Sequence, residues 1–123
     1  MSFNKLLDNI MNTDHHIRYA TICDMEGNEI RTEMRKDVTP LLNDSETKET
    51  LRYAVNAWKT RSKFAPKIGK GKYVLAVYEK LRRLTMPVGE KYLLLITWGT
   101  DGGTTDIIER LQNMFSGDYT RNW

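Results

Sequence analysis

The segment Lys91–Phe115 reads KYLLLITW, GTDGGTT and DIIERLQNMF, and it predicts a buried strand, a glycine-rich turn and an amphipathic helix in succession. The apolar run is too short for a buried helix and far too short to cross a membrane. Because it does not alternate, it is typical of a strand that is covered on both faces, which requires helices on both sides of the sheet. The apolar residues of the helix recur at a spacing of three to four: Ile107, Ile108, Leu111, Met114 and Phe115.

The chain before residue 40 predicts a helix and a β-hairpin. Ser2 precedes an amphipathic helix that runs to about Met11. His16–Asp24 carries apolar residues on both faces and predicts an inner strand, and Gly27 supplies the turn that follows it. Glu29–Arg35 alternates and predicts an edge strand with one wet face. One face of this strand is expected to carry Ile30, Thr32 and Met34. The opposite, solvent-exposed face is expected to carry Glu29, Arg31, Glu33 and Arg35.

The middle of the chain predicts a second helix and two more strands. Asn43 and Glu46 have the spacing of a capping box, and the helix after them runs to about Ser62. Tyr73–Glu79 and Leu81–Val88 are predicted to be strands. The predicted fold is therefore α+β, with a five-stranded antiparallel sheet covered by three helices in the order α-β-β-α-β-β-β-α.

Length and composition fit one such domain, which we expect to span residues 1–115 and to be followed by a polar tail, residues 116–123. Of the 123 residues 40% are apolar, and the net charge of +3 does not by itself indicate nucleic acid. The single cysteine, Cys23, excludes an internal disulfide and a cysteine-based zinc site. With no signal peptide visible in Met1–Met11 and no stretch of transmembrane length, we expect a cytoplasmic protein without membrane insertion.

The segment 59–72 carries the one marked charge asymmetry, with six basic residues and no acidic one. Pro66, Gly69 and Gly71 predict that it is a loop. A solvated loop is the favoured interpretation, and phosphate or anionic-lipid binding is the alternative. The six basic residues are Lys59, Arg61, Lys63, Lys67, Lys70 and Lys72.

Two other patterns favour structural roles. Asp14-His15-His16 with Cys23 suggests a metal or nucleophilic site, but such a site needs three or four converging ligands, and adjacent histidines at the start of a strand are expected to point in opposite directions. Gly99–Thr105 precedes a helix as an anion cradle does, but it lacks both glycine-rich phosphate-binding patterns. A structural turn is the favoured interpretation, with Thr104 or Thr105 as the helix cap.

The order of elements and the hairpin from Arg18 to Arg35 resemble the roadblock/LC7 family and, more widely, profilin-like and longin-like domains, including small archaeal proteins of this type. The resemblance covers nearly the whole chain through Phe115. It implies homodimers that act as scaffolds, often for small GTPases or motor-related complexes, without catalytic residues. The chain departs from the family in its basic segment and in Arg82-Arg83, so the identity of a partner does not carry over.

We therefore favour a non-enzymatic, homodimeric adaptor or regulatory domain that needs no cofactor or metal, with a second protein such as a small GTPase as a further partner. One alternative is a small-molecule sensor, which needs an apolar cavity with a few polar groups. Another alternative is a domain that binds an anion through Lys63, Lys67, Lys70 and Lys72. A nucleic acid is a less favoured partner for the same residues. The candidate interface residues are Leu51, Val55, Trp58, Tyr73, Leu75 and Val77.

Overall fold

The computed structural model describes residues 2–115, and the predicted polar tail, residues 116–123, lies outside the described residues. The predicted order of five strands and three long helices is confirmed, with one short helix added after the second long one. The elements are α1 (Phe3–Thr13), β1 (Ile17–Asp24), β2 (Glu29–Met34), α2 (Asp44–Lys63), α3 (Ala65–Ile68), β3 (Val74–Val77), β4 (Arg82–Val88), β5 (Tyr92–Trp98) and α4 (Thr104–Met114).

The five strands form one antiparallel sheet in the order β2-β1-β5-β4-β3. Strand β5 lies at the centre between β1 and β4, and its residues from Leu93 to Trp98 are all buried. The prediction that this apolar run forms a strand covered on both faces is therefore confirmed. The short strands β2 and β3 form the two edges.

Helices cover both faces of the sheet, as a central strand without alternation requires. On one face α1 and α4 pack against the sheet through Leu6, Ile10, Ile107 and Leu111. On the other face α2 packs against it. The second core contains Cys23, Leu51, Ala54, Val55, Trp58, Leu93 and Leu95.

Strand β2 departs from the predicted alternation because its pairing with β1 slips by one residue. Ile22 pairs with Arg31 and Cys23 pairs with Glu29, so Ile30 has no partner in the ladder. A β-bulge of this kind moves the following side chains to the opposite face. Ile30 therefore packs into the core beneath α1. The predicted common face of Ile30, Thr32 and Met34 is wrong.

The basic segment 59–72 is also more ordered than the predicted loop. Its first five residues complete α2, and Ala65–Ile68 forms the short helix α3. Pro66 lies at the start of α3, where its missing N–H has no intrahelical acceptor to lose. Irregular chain remains between Gly69 and Tyr73.

The helices of the described residues, 2–115, include none that is both long and apolar enough to cross a membrane.

Candidate functional site

Exposed apolar side chains concentrate around α3 and β3. Of the eight large apolar residues that are exposed among residues 2–115, five fall between residues 64 and 78. Ile68 is 83% exposed and Val77 is 62% exposed. Scattered exposed apolar residues are ordinary, but three of these five lie on or beside the single short strand β3, and such a group is typical of a protein-interaction surface. The five residues are Phe64, Ile68, Tyr73, Val77 and Tyr78.

Strand β3 also presents an edge to which no strand of residues 2–115 is paired. At the β3–β4 turn the Tyr78 N–H donates to the Leu81 carbonyl over 2.8 Å. Bonded pairs alternate along antiparallel strands, so the backbone groups of Leu75 and Val77 point away from β4. Free donors and acceptors of this kind are a template for pairing with another chain.

Three of the residues that the sequence suggested for an interface lie inside the chain's own core. Leu51, Val55 and Trp58 are buried on the face of α2 that packs against the sheet. The outward face of α2 instead presents Tyr53, which is 77% exposed, and its neighbour Asn56. The periodicity of α2 identified an apolar stripe correctly but could not say whether the sheet or a partner covers it.

Lysines of the basic segment are exposed and make no ion pair with any residue between 2 and 115. Lys63 ends α2, Lys67 lies on α3, and Lys70 and Lys72 lie in the loop before β3. Only Lys70 of these four lines the groove of about 600 Å³ beside Trp58. The structure therefore places the four lysines on adjacent elements without converging them on one point.

A second cavity, which we call the arginine cleft, lies at the N-terminal end of α2. Its volume is about 80 Å³, and it lies between the sheet, the start of α2 and the loop 38–42. Arg18 and Arg83 provide its charged groups, and Thr97 provides a hydroxyl group. Its apolar walls include Met34, Val38, Pro40, Leu42, Leu81 and Leu95.

Sequence reasoning did not find the arginine cleft, because Arg18 and Arg83 are distant in the chain and meet only through the strand order of the sheet. One signal was available. Arg83 and Thr85 both alternate with the apolar residues Leu84 and Met86, which places them together on the α2 face of β4.

The Asp14–His15–His16 cluster joins the α1–β1 turn to α4. Contrary to the expectation that the histidines diverge, their ring centroids lie 4.0 Å apart, and ligand atoms of all three residues lie within 4.8 Å of one another. However, Asp14 Oδ1 is 2.8 Å from His16 Nδ1, and Asp14 Oδ2 accepts a 3.0 Å bond from Arg110. An arginine on the carboxylate opposes a cation, so the geometry favours a structural joint.

The pKa of Asp14 agrees with a structural role, and the pKa of Cys23 bears on whether its thiol could react. Burial raises the pKa of Asp14, but the hydrogen bonds from the His16 backbone and side chain, together with the charge of Arg110, outweigh it and leave the pKa below its usual value. Burial, with the negative charges of Asp24 and Glu29, raises the pKa of the Cys23 thiol to about 11. A thiol that stays protonated at neutral pH is a poor nucleophile.

The turn before α4 lies where the sequence predicted it, but the residue that caps the helix differs from the prediction. Gly103 is the N-cap residue of α4, and neither Thr104 nor Thr105 caps it with a side chain. The Thr104 hydroxyl instead accepts a 3.1 Å hydrogen bond from the Trp98 indole, which ties α4 to the end of β5.

Solved structures identify the fold that these elements form. The gliding protein MglB from Thermus thermophilus aligns with a TM-score of 0.74 at 12% identity, over 96% of this chain and 85% of that one. A structure described as MglB with a tetrameric arrangement aligns with the same four values. A roadblock/LC7 domain from Streptomyces avermitilis aligns with a TM-score of 0.64 at 9% identity, over 93% of this chain and 95% of that one. The chain therefore has a roadblock/LC7-like fold, as its sequence predicted. No protein-family model and no curated protein sequence matches it.

Proposed function

We propose that this chain is a non-enzymatic adaptor or regulatory domain that acts in the cytoplasm as a homodimer. The observation that supports this most directly is the unpaired edge of β3, together with the exposed side chains of Tyr73, Val77 and Tyr78 on or beside that strand. A reducing compartment fits the free thiol of Cys23. The roadblock/LC7-like fold, and the tetrameric arrangement described for one MglB structure, agree with a self-associating interaction domain.

Antiparallel pairing of two β3 strands about a two-fold axis accounts for this surface. Each strand would satisfy the outward backbone groups of its copy, and the two sheets would become continuous across the interface. The same contact would bury Tyr73 and Val77, which are exposed in the single chain, and would place the two α2 helices on the same face of the continuous sheet.

Substitution of Val77 by proline tests the dimer without disturbing the chain's own ladder. The Val77 N–H points away from β4, so proline removes a donor that only a partner strand would use. Light scattering at micromolar concentration should give twice the 14.4 kDa chain mass for the wild type and 14.4 kDa for Val77→Pro.

Leu41→Arg is the matched control, because Leu41 is an exposed apolar residue outside the proposed interface, and it should remain dimeric. A wild-type chain that scatters as a monomer would remove the homodimer from the proposal. A dimer that survives in Val77→Pro would place the interface elsewhere.

A second protein partner is part of this proposal, and the family resemblance makes a small GTPase the first one to test. The dimer would present two copies of each remaining surface, which suits a scaffold. Purified small GTPases in the GDP-bound and GTP-bound states, passed over the immobilised dimer, should show binding that depends on the nucleotide. Binding to neither state would exclude the tested GTPases as partners.

Anion binding through the basic segment is a second candidate function, favoured by the four unpaired lysines described above. A short oligonucleotide or an anionic vesicle should then bind with an affinity that falls as salt rises. Replacement of Lys67, Lys70 and Lys72 by alanine should abolish this binding, whereas replacement of Lys5, Lys36 and Lys48, which are exposed elsewhere, should not. Binding that is absent or insensitive to salt would reject this function.

A further inference from the structure

The arginine cleft contains a buried donor that has nothing to bind. Arg83 Nε is buried and has no hydrogen-bond partner among residues 2–115, where no other buried side-chain nitrogen or oxygen shares this condition. Buried polar groups of folded proteins are almost always hydrogen-bonded, because the group has lost its water. Arg83 also makes no ion pair with any of these residues, so an anion in the cavity that Arg83 lines would supply the missing counter-charge.

Two other polar groups of the cleft, those of Arg18 and Thr97, are also weakly engaged. The nearest carboxylate to Arg18 is Asp101, whose Oδ1 lies 3.7 Å from Arg18 Nη2, too far for a good hydrogen bond. The Thr97 hydroxyl makes no hydrogen bond to any described side chain or backbone group. Two guanidinium groups and a hydroxyl group are thus available as donors at one cavity.

Gly99 allows Arg18 to lie where it does. A Cβ atom at Gly99 would fall 2.3 Å from Arg18 Nη2 and 2.6 Å from Arg18 Cζ, so any other residue would displace the guanidinium. The lack of a side chain at Gly99 therefore leaves room for the Arg18 guanidinium next to the end of β5.

Charge and polarity of the walls define what the cleft can accept. The lining residues within the described chain include two arginines and no acidic residue, and half of them are apolar. An anion alone would leave the apolar walls without contacts, and an apolar molecule alone would leave the guanidinium groups without an acceptor. We propose that the arginine cleft binds a small amphiphilic anion, with a carboxylate or phosphate at Arg83 and Arg18 and a short apolar group against Leu42, Leu95 and Met34.

Hexanoate is a suitable probe, with hexan-1-ol and acetate as matched molecules that lack the anion and the tail respectively. Calorimetric titration should detect hexanoate and should show much weaker binding of the other two. Butyl phosphate, tested alongside, separates a preference for phosphate from one for carboxylate. In a ¹⁵N-labelled sample the Arg83 Nε–H resonance should shift as hexanoate is added, because a carboxylate then lies beside its guanidinium.

Arg83→Gln should weaken hexanoate binding about 10- to 100-fold, the range expected for the loss of a hydrogen bond to a charged group. The matched control is Arg82→Gln, because Arg82 lies next in the chain and donates to the Tyr78 carbonyl outside the cleft. Gly99→Ala should weaken binding by displacing Arg18 while leaving the sheet folded. Circular dichroism melting of each variant separates loss of the site from loss of the fold.

Failure of hexanoate and butyl phosphate to bind at millimolar concentration would overturn this proposal. Equal binding of hexan-1-ol, or unchanged affinity in a folded Arg83→Gln variant, would also overturn it. Each measurement is independent of the oligomeric state, so the adaptor proposal can fail without affecting this one.

Discussion

Arg35 joins the end of α1 to the start of β1 by a set of contacts that its position at the end of β2 did not predict. Its guanidinium donates to the carbonyl oxygens of Met11, Asp14 and Ile17, two of which lie at the C-terminal end of α1. Terminal helix carbonyls have no partner within their helix, and a cation there is also favoured by the helix dipole. Arg35, which was predicted to lie on the solvent-exposed face of β2, thus stabilises the C-terminal end of α1.

Substitution of Arg35 by glutamine should destabilise the fold by about 1.5–3 kcal/mol, the usual range for hydrogen bonds that involve a charged group. Lysine at the same position should recover only part of this, because an ammonium cannot reproduce the planar fork that reaches three carbonyls. Urea denaturation monitored by circular dichroism measures both changes. The exposed neighbour Lys36→Gln should change stability by much less, and an equal loss there would contradict the assignment.

Glu33 forms a carboxyl pair with Asp8 that should make stability depend on pH. The hydrogen bond between the two carboxyls, with burial and the charge of Asp8, raises the pKa of Glu33 to about 7, although Arg35 opposes the shift. The folded state therefore binds a proton more tightly than the unfolded state. The contribution is complete below the unfolded value of 4.5 and is lost as pH rises through about 7.

Glu33→Gln should remove this dependence and be more stable than the wild type at pH 8. Because Glu33 is only partly buried, solvent screening should keep the gain below about 1 kcal/mol. Melting curves between pH 4.5 and pH 8 measure it, with Glu109→Gln as the exposed control. A wild-type stability that does not fall across this window would show that the two carboxyls do not share a proton.

At the scale of elements, α2 is fixed to the sheet by one buried hydrogen bond. The Trp58 indole N–H donates to the Thr85 hydroxyl over 2.9 Å, where both side chains are almost fully buried. Thr85→Val should cost about 1–3 kcal/mol, because it leaves the indole N–H buried without an acceptor. Thr60→Val makes the same chemical change on the exposed face of α2 and should cost much less.

A double-mutant cycle separates this hydrogen bond from the packing of the two side chains. Once Phe replaces Trp58, the Thr85→Val change should cost about 1 kcal/mol less than in the wild type. Denaturant unfolding of the four proteins gives the coupling energy. Additive effects would show that the contact contributes packing only.

The same comparison of elements shows which parts of the fold could be predicted. The apolar run of β5 and the stripe of α4 are set by nearest neighbours in the chain, so hydropathy alone predicts them. The bulge at Ile30 depends on pairing with β1, and the short helix α3 forms as a continuation of the C-terminal end of α2. The arginine cleft depends on the strand order, which places β1, β5 and β4 side by side. Local sequence does not encode any of these three.

At the scale of the whole molecule, the exposed side chains of Tyr73, Val77 and Tyr78 lie on or beside the free edge strand β3, as an interface with a second chain would require. If that chain is a second copy, folding and association are linked, and the stability must depend on protein concentration. The free energy of unfolding per dimer should rise by about 1.4 kcal/mol for each tenfold increase in concentration, which raises the melting temperature.

Calorimetric scans over a hundredfold concentration range measure this effect, and Val77→Pro provides the internal comparison. The wild-type melting temperature should rise with concentration, whereas that of the Val77→Pro monomer should stay constant, because its unfolding involves one chain. The two proteins should therefore differ most at high concentration and converge as dilution dissociates the wild type. Melting temperatures that are independent of concentration in both proteins would mean that the edge of β3 is left for a different partner.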